Sequence, residues 1–530
     1  MVENSNGLRD ALKVLQKSSP QAVEVELPID YHNTLKSYLY IETKIERDFQ
    51  NKIDMLQTEQ IIFLCGSSGD GKSAILTRYS KKYSDKALFH LDATHSSAPH
   101  QNAITTLDQL FTKMSEQQLP LIIGINIGMM GNYIEGGADK HADIKASMRA
   151  HLNDQKTPPN HIYLNFESYP KFYFGENGPK SDFAKTLMRK LTTKENNPFW
   201  GLLEKDKNTN HDPMLFVNFS LLSMDSVQNV VIDALIKSRL VKDQFMTARS
   251  LLDFIYHLLT GPGYLFDNLY TGSDNELSLR IVLFDPSLLR TKRIDQFILQ
   301  FKLCLVNGEF EEFKKDLCTY GISNLQDPSS YIRLFYLLRH TDFGNNFHHS
   351  FLDDFSDDLM NSYAKFWKLH TEYSGSIEEQ SILRKDFYKK IMFSSLHQYM
   401  NRNATSQLKK NQYFIADYNG YQLSAELEIK ADFSAIKTTN KTGYFNAYIN
   451  VLGQPISAIP VNINLLELML KLNEGYRPNK HDKNTIVILD EVVEKIIEIA
   501  NQSNILHISK NTEVYEINNI DNDIFEVSGA

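Results

Sequence analysis

Between residues 66 and 73 the chain reads Gly-Ser-Ser-Gly-Asp-Gly-Lys-Ser, and no other segment restricts the possible folds as strongly. Ile61, Ile62, Phe63 and Leu64 precede it as a short apolar run. Ile75, Leu76, Tyr79 and Tyr83 come after it at helical spacing, so a strand, a tight loop and a helix are predicted in that order. The fixed positions fit the pattern G-x-x-x-x-G-K-[ST]. Glycine lets the backbone bend until successive N–H groups face one anion. The helix behind the loop turns its positive end toward the same point. In such a loop Lys72 places a charge between the β- and γ-phosphates, and the Ser73 hydroxyl ligates Mg²⁺. The expectation is an ATP and Mg²⁺ site built from Gly66, Ser67, Ser68, Gly69, Asp70, Gly71, Lys72 and Ser73. Asp70, an acid beside phosphates at an unrestricted position, is expected to face solvent, as is Lys72 without ligand.

The surroundings extend this into a fold. Strand-like runs at 87–91, 121–127 and 161–166 alternate with helical patterns such as Ile104, Leu107, Leu110 and Phe111. That alternation predicts an α/β P-loop NTPase core over 56–223, with a doubly wound, mostly parallel sheet. Residues 1–55 read as a helical segment, with Leu8, Leu12 and Leu15 at helical spacing and Leu35, Leu39 and Ile45 less regular. From 224 to 404 the pattern is helical. Val227, Val230, Val231, Ala234 and Leu235 share one face, as do Phe245, Ala248, Leu251, Leu252 and Ile255. Residues 405–530 read as a small α+β domain. Asn419-Gly420 between β-rich runs predicts a hairpin, ILHISKNTEVYEI predicts another, and Leu423, Ala425, Leu427 and Ile429 alternate as the inner face of a strand.

A hydrolase also needs a carboxylate at a strand end to hold Mg²⁺. Three acids compete: Asp92 after ALFHL, Asp285 after IVLF, and Asp490 after IVIL. Asp490 lies in a helical stripe of Leu489, Val492, Val493, Ile496, Ile497 and Ala500, which favours a solvated helix face. Asp285 precedes Pro286 and reads as a turn residue. Asp92 is taken as the metal-linked acid. Asn126, ending the run LIIGIN, stands where AAA-type ATPases keep a polar residue that senses the γ-phosphate. Arg249, on a helix of the lid region, could reach the nucleotide. His348 and His349 read as structural.

The remaining composition bounds the setting. Five hundred and thirty residues exceed one ordinary core. A net charge of −9 speaks against a chain that coats nucleic acid by itself. Three cysteines without metal-type spacing fit a reducing compartment. No run of 18 apolar residues occurs, so a cytoplasmic protein without a membrane partner is expected. Neither a PD-(D/E)xK nor an HNH-type nuclease pattern is present.

Beyond the shared loop, longer phrases carry a resemblance. LRDALKVLQKSSPQAV, LKSYLYIETKIERDF, IIFLCGSSGDGKSAILTRY, HLDATHS, LIIGINIGMMGNY, NFESYPKFYF, FMTARSLLDFIYHLL and GYLFDNLY occur in this order. Together they resemble the F subunit of DNA phosphorothioation-dependent restriction systems, the DptF family. The resemblance covers essentially the whole chain and is densest over 7–300. It implies a P-loop ATPase subunit of a bacterial defence complex that attacks DNA lacking the host's sulfur mark. Partner subunits would contribute cleavage, and DNA would be met through the complex. A non-hydrolysing ATP switch and a small-molecule kinase use the same loop and remain as alternatives.

Overall fold

The computed structural model describes residues 7–17, 31–94, 102–153, 155–175, 178–209, 211–242, 246–342, 344–404, 408–409, 411–437, 443–503, 505–510, 513–521 and 524–529. The chain divides into two compact units, one of Met1–Tyr173 with Pro179–Ser356, the other of Phe174–Gly178 with Asp357–Ala530.

The first unit is organised on a parallel sheet of four strands, β1 (Ile61–Cys65), β2 (Leu88–His90), β3 (Leu121–Ile125) and β4 (His161–Asn165), in the order β2-β3-β1-β4. Ile61 stands opposite Leu121 on one side and His161 on the other, and the register runs unbroken to Cys65. Every residue of β1 and β3 is buried, as strands covered on both faces require. On one face Ile61, Phe63 and Cys65 pack with Leu107, Phe111, Met130, Tyr133 and Met148. On the other, Ile62 and Leu64 pack with Ile45, Phe49, Ile53, Ile75, Leu76 and Tyr79. Helices on both faces of a parallel sheet are the expected doubly wound arrangement.

Two local features bring β2 close to β3. Ala93 N donates to Gly124 O at 2.8 Å, so the chain runs alongside β3 beyond the end of β2. A Cβ at Gly124 would lie 2.4 Å from Leu91 O, so only glycine admits that approach.

The N-terminal helical prediction resolves into short pieces. Leu8, Leu12 and Leu15 are buried along an α-helix (Leu8–Ala11) that continues as a 3₁₀ turn (Leu12–Leu15). Leu35 and Leu39 belong to Tyr31–Leu39, whereas Ile45 lies on a separate helix, Lys44–Asp54, whose Phe49 and Ile53 face the sheet; hence the imperfect spacing. Further along, Val227, Val230, Val231, Ala234 and Leu235 are all buried on Asp225–Lys242. Leu251 and Ile255 are buried on Ala248–Thr260, with Ala248 and Leu252 half-buried; Phe245 lies outside the described residues. The helices of the 224–404 region fall in both units, because those from Asp358 onward belong to the second.

The second unit contains a five-stranded antiparallel sheet. Its first hairpin pairs Gln412–Tyr418 with Tyr421–Glu426, turning at Asn419 (φ 56°) and Gly420 (φ 83°) as the sequence predicts. The second pairs Ile505–Lys510 with Glu513–Asp521. The alternation expected along 423–429 is overturned in detail. Ala425 and Leu427 are buried, but Leu423 and Ile429 are half-buried, and Gln422 and Ser424 between them are nearly inaccessible. The strand ends at Glu426, and Ile429 opens a strand of another sheet. Both faces are covered, so alternation no longer separates inside from outside.

Helix Lys483–Ala500 buries Leu489, Val492, Ile496 and Ala500, and Leu383–Phe393 is an eleven-residue π-helix. A cavity of about 1190 Å³, lined among others by Lys389, Phe393, Tyr413 and Glu426, lies in this unit. No single helix among the described residues is long and apolar enough to cross a membrane. One pair bent by 86°, Pro213–Ser223 with Asp225–Lys242, meets the length and composition only when joined.

Candidate nucleotide site

The loop 66–71 leaves β1 at its C-terminal end, between β3 and β4, where the chain's strand order reverses. In open parallel sheets this is where ligands sit. Gly66 N donates to Ile125 O at 3.2 Å, tying the loop's start to β3. A Cβ at Gly66 would come within 2.9 Å of the Phe166 ring. Gly71, at φ 106°, caps helix Lys72–Tyr83 in a left-handed conformation that L side chains rarely adopt. Apart from its chain neighbours, no described atom lies within 4 Å of the point a Cβ would take there, so that point is open.

Two expectations about the loop fail. Lys72 is not turned to solvent: it is buried, and its Nζ donates to Gly66 O and Ser67 O at 2.8 Å each. Burial pushes its pKa down, against the carboxylates of Asp70 and Asp92, which act in the other direction. The ammonium is satisfied by these backbone oxygens, because a buried charge without acceptors is costly. Asp70 is buried as well. Its Oδ2 accepts from Ser67 N at 2.7 Å, and its Oδ1 pairs with Lys171 Nζ at 2.6 Å. Ser68 and Ser73 are exposed.

Lys171 was not found from sequence. It lies past β4, and its Nζ also donates to Met246 O at 3.0 Å. From there the chain reaches the loop a second time, since Arg249 N donates to Gly69 O at 3.3 Å. A Cβ at Gly69 (φ 85°) would meet Thr247 Oγ1 at 3.1 Å and Arg249 Cβ at 3.3 Å. Thr247 caps Ala248–Thr260 in a reciprocal capping box with Ser250, which fixes the direction in which that helix departs.

Asp92 comes after β2 and is half-buried. Its Oδ1 accepts from Thr94 N at 2.9 Å and from Thr94 Oγ1 at 2.7 Å. Asn126 follows β3 directly, and its Oδ1 caps helix Ile127–Gly136 through Met129 N at 2.7 Å. Arg249 is half-buried, and its guanidinium forms no hydrogen bond or ion pair with a described residue. The structure thus brings the backbone of Arg249 onto the loop and sets Asn126 one residue past the carbonyl that holds Gly66. It places the Asp92 carboxylate where its charge acts on Lys72.

The other two acids have local partners of their own. Asp285 is buried, caps Ser287 N at 2.9 Å and pairs with Arg333 at 2.6 Å. Asp490, on the second unit's helix, accepts from Tyr399 OH at 2.7 Å. The Nε2 atoms of His348 and His349 lie 2.9 and 3.2 Å from Thr341 O, a structural role.

No protein-family model matches the chain, and neither the curated proteins nor the solved structures contain a match to it.

Proposed function

We propose that this chain is an ATP-binding and ATP-hydrolysing subunit of a phosphorothioation-dependent DNA restriction complex acting on unmodified DNA. The observation that carries the nucleotide reading is the loop at the centre of the parallel sheet. Lys72 is held there by two neutral carbonyls, before an open space at the left-handed Gly71. Phosphate oxygens would replace those carbonyls with charged acceptors, which form stronger hydrogen bonds. Backbone N–H groups at the start of Lys72–Tyr83 would face the same oxygens. The exposed Ser73 hydroxyl and the Asp92 carboxylate would hold Mg²⁺, which neutralises phosphate charge. Asn126 would sense the γ-phosphate, and Arg249 would meet charge developing on it.

The restriction role rests on the family-like phrases flanking the loop. No nuclease pattern was found in the sequence, so cleavage belongs to a partner subunit. A net charge of −9 makes DNA contact weak without partners.

Calorimetry with ATP and Mg²⁺ tests the central claim. Wild-type protein binds, and Lys72→Ala loses roughly a hundredfold or more in affinity, since a charge-assisted contact to phosphate is removed. Wild-type affinity in the variant rejects the site. ATP binding without turnover, alone or with DNA and partner subunits, replaces the hydrolase with an ATP switch.

A further inference from the structure

The nucleotide reading leaves Asp70 without a task. It is buried in the loop, at a position where the motif places no demand, and its charge opposes that of a phosphate. Its contacts resolve the conflict. Oδ2 takes Ser67 N–H and Oδ1 takes Lys171, so its hydrogen bonds go to groups other than Lys72, whose own go to Gly66 O and Ser67 O. Lys171 then spends a second N–H on Met246 O, three residues before Arg249. Arg249 N closes the circuit on Gly69 O. Asp70 and Lys171 have side chains only 5% and 20% exposed, which removes most of the screening that makes surface pairs weak.

We infer that Lys171, through Asp70 and Met246 O, is a positioning residue that fixes the turn from which Arg249 reaches toward the γ-phosphate. This rests on the nucleotide reading. The hydrogen bonds of Lys171 go to Asp70 and Met246 O, so it acts through the turn. It determines where the uncommitted guanidinium of Arg249 is launched, and the Thr247–Ser250 capping box carries that direction into Ala248–Thr260.

The test is a double-mutant cycle on the full chain, read as the ratio of ATP to ADP affinity with Mg²⁺, because only a γ-phosphate contact moves that ratio. Arg249→Ala and Lys171→Met each lower it roughly tenfold, the scale of one lost charge-assisted contact. The double variant is no worse than Arg249→Ala, and Lys171→Arg restores most of the ratio because it keeps charge and reach. Amide hydrogen exchange over 247–251 rises in Lys171→Met, with or without nucleotide. Additive losses in the cycle overturn the inference, as does unchanged exchange. Failure of wild-type protein to bind ATP removes the nucleotide reading and with it the role assigned to Arg249. The exchange arm then still decides whether the Lys171 strut holds the turn.

Discussion

In the parallel-sheet unit, the central strands β1 and β3 are apolar from end to end, and the candidate site residues Gly66 to Ser73, Asp92 and Asn126 come after the C-terminal ends of strands. In the antiparallel unit, the strand Tyr421–Glu426 buries Gln422 and Ser424 next to Ala425, and the strand paired with it buries His507 and Ser509 opposite them. The central parallel strands keep their interior apolar, whereas these antiparallel strands carry polar groups into theirs. A separated arrangement concentrates its sensitivity at strand ends and at a few close backbone approaches. A mixed one spreads sensitivity through buried polar and titratable groups, whose cost changes with pH.

The sharpest way to break this contrast is Gly124→Val. The new side chain starts 2.4 Å from the backbone oxygen of Leu91, which cannot swing aside as a side-chain end could. A loss of about 3 kcal/mol or more in denaturant-measured stability is expected, at the upper end for overpacking. A loss below about 1 kcal/mol would show that β2 is not pinned to β3.

Next comes His370 in the second unit, 1% exposed and stacked on Phe445, with Nδ1 2.7 Å from Phe366 O. Burial lowers its pKa from 6.5 to about 4. The unfolded chain therefore takes up the proton first, and stability present at neutral pH is lost as pH falls through the window between those values. From pH 7 to pH 5 this one group removes about 2 kcal/mol. His370→Phe should flatten that part of the stability profile, and an identical slope in the variant would reject the assignment.

The smallest effect compares one acid from each unit. Asp92→Asn should slow Mg²⁺-dependent ATP turnover roughly tenfold. Asp490→Asn, which alters only the contacts with Tyr399 and Arg402, should leave turnover unchanged. Equal losses, or a loss only at Asp490, would move the metal-linked acid to the other unit.

Legibility in the sequence divides along the same line. The loop, β1 and β3 were legible because apolar runs between turn signals report strands buried on both faces. Asn419-Gly420 was legible because few residue pairs tolerate two positive φ angles. Lys171 was not, since its partner Asp70 lies 101 residues away and a lysine in an aromatic stretch resembles any surface lysine. The burial of Lys72 and Asp70 was missed because each was judged against water or phosphate, not against its neighbours' backbone. Gln422 and Ser424 were missed because period-two alternation identifies an inner face only when the outer face is wet. The division at Ser356 was invisible in composition, because helices continue on both sides of it.

The π-helix at Leu383–Phe393 shows how periodicity can be conserved while its phase shifts. Leu383, Phe387, Tyr388, Ile391 and Met392 are buried at intervals of four and five, and Arg384, Lys385, Lys389 and Lys390 repeat with the same beat on the exposed side. A coil of roughly 4.4 residues per turn keeps both rows aligned, whereas 3.6 per turn would wind them into each other. The segment therefore works like a change of gear between the α-helical stretches Ile377–Ile382 and Ser394–Met400. Removing a single residue within it would re-time everything downstream by about a quarter of a turn. Tolerance to insertion and deletion, usually a property of loops, is here expected to be lowest in the middle of a helix.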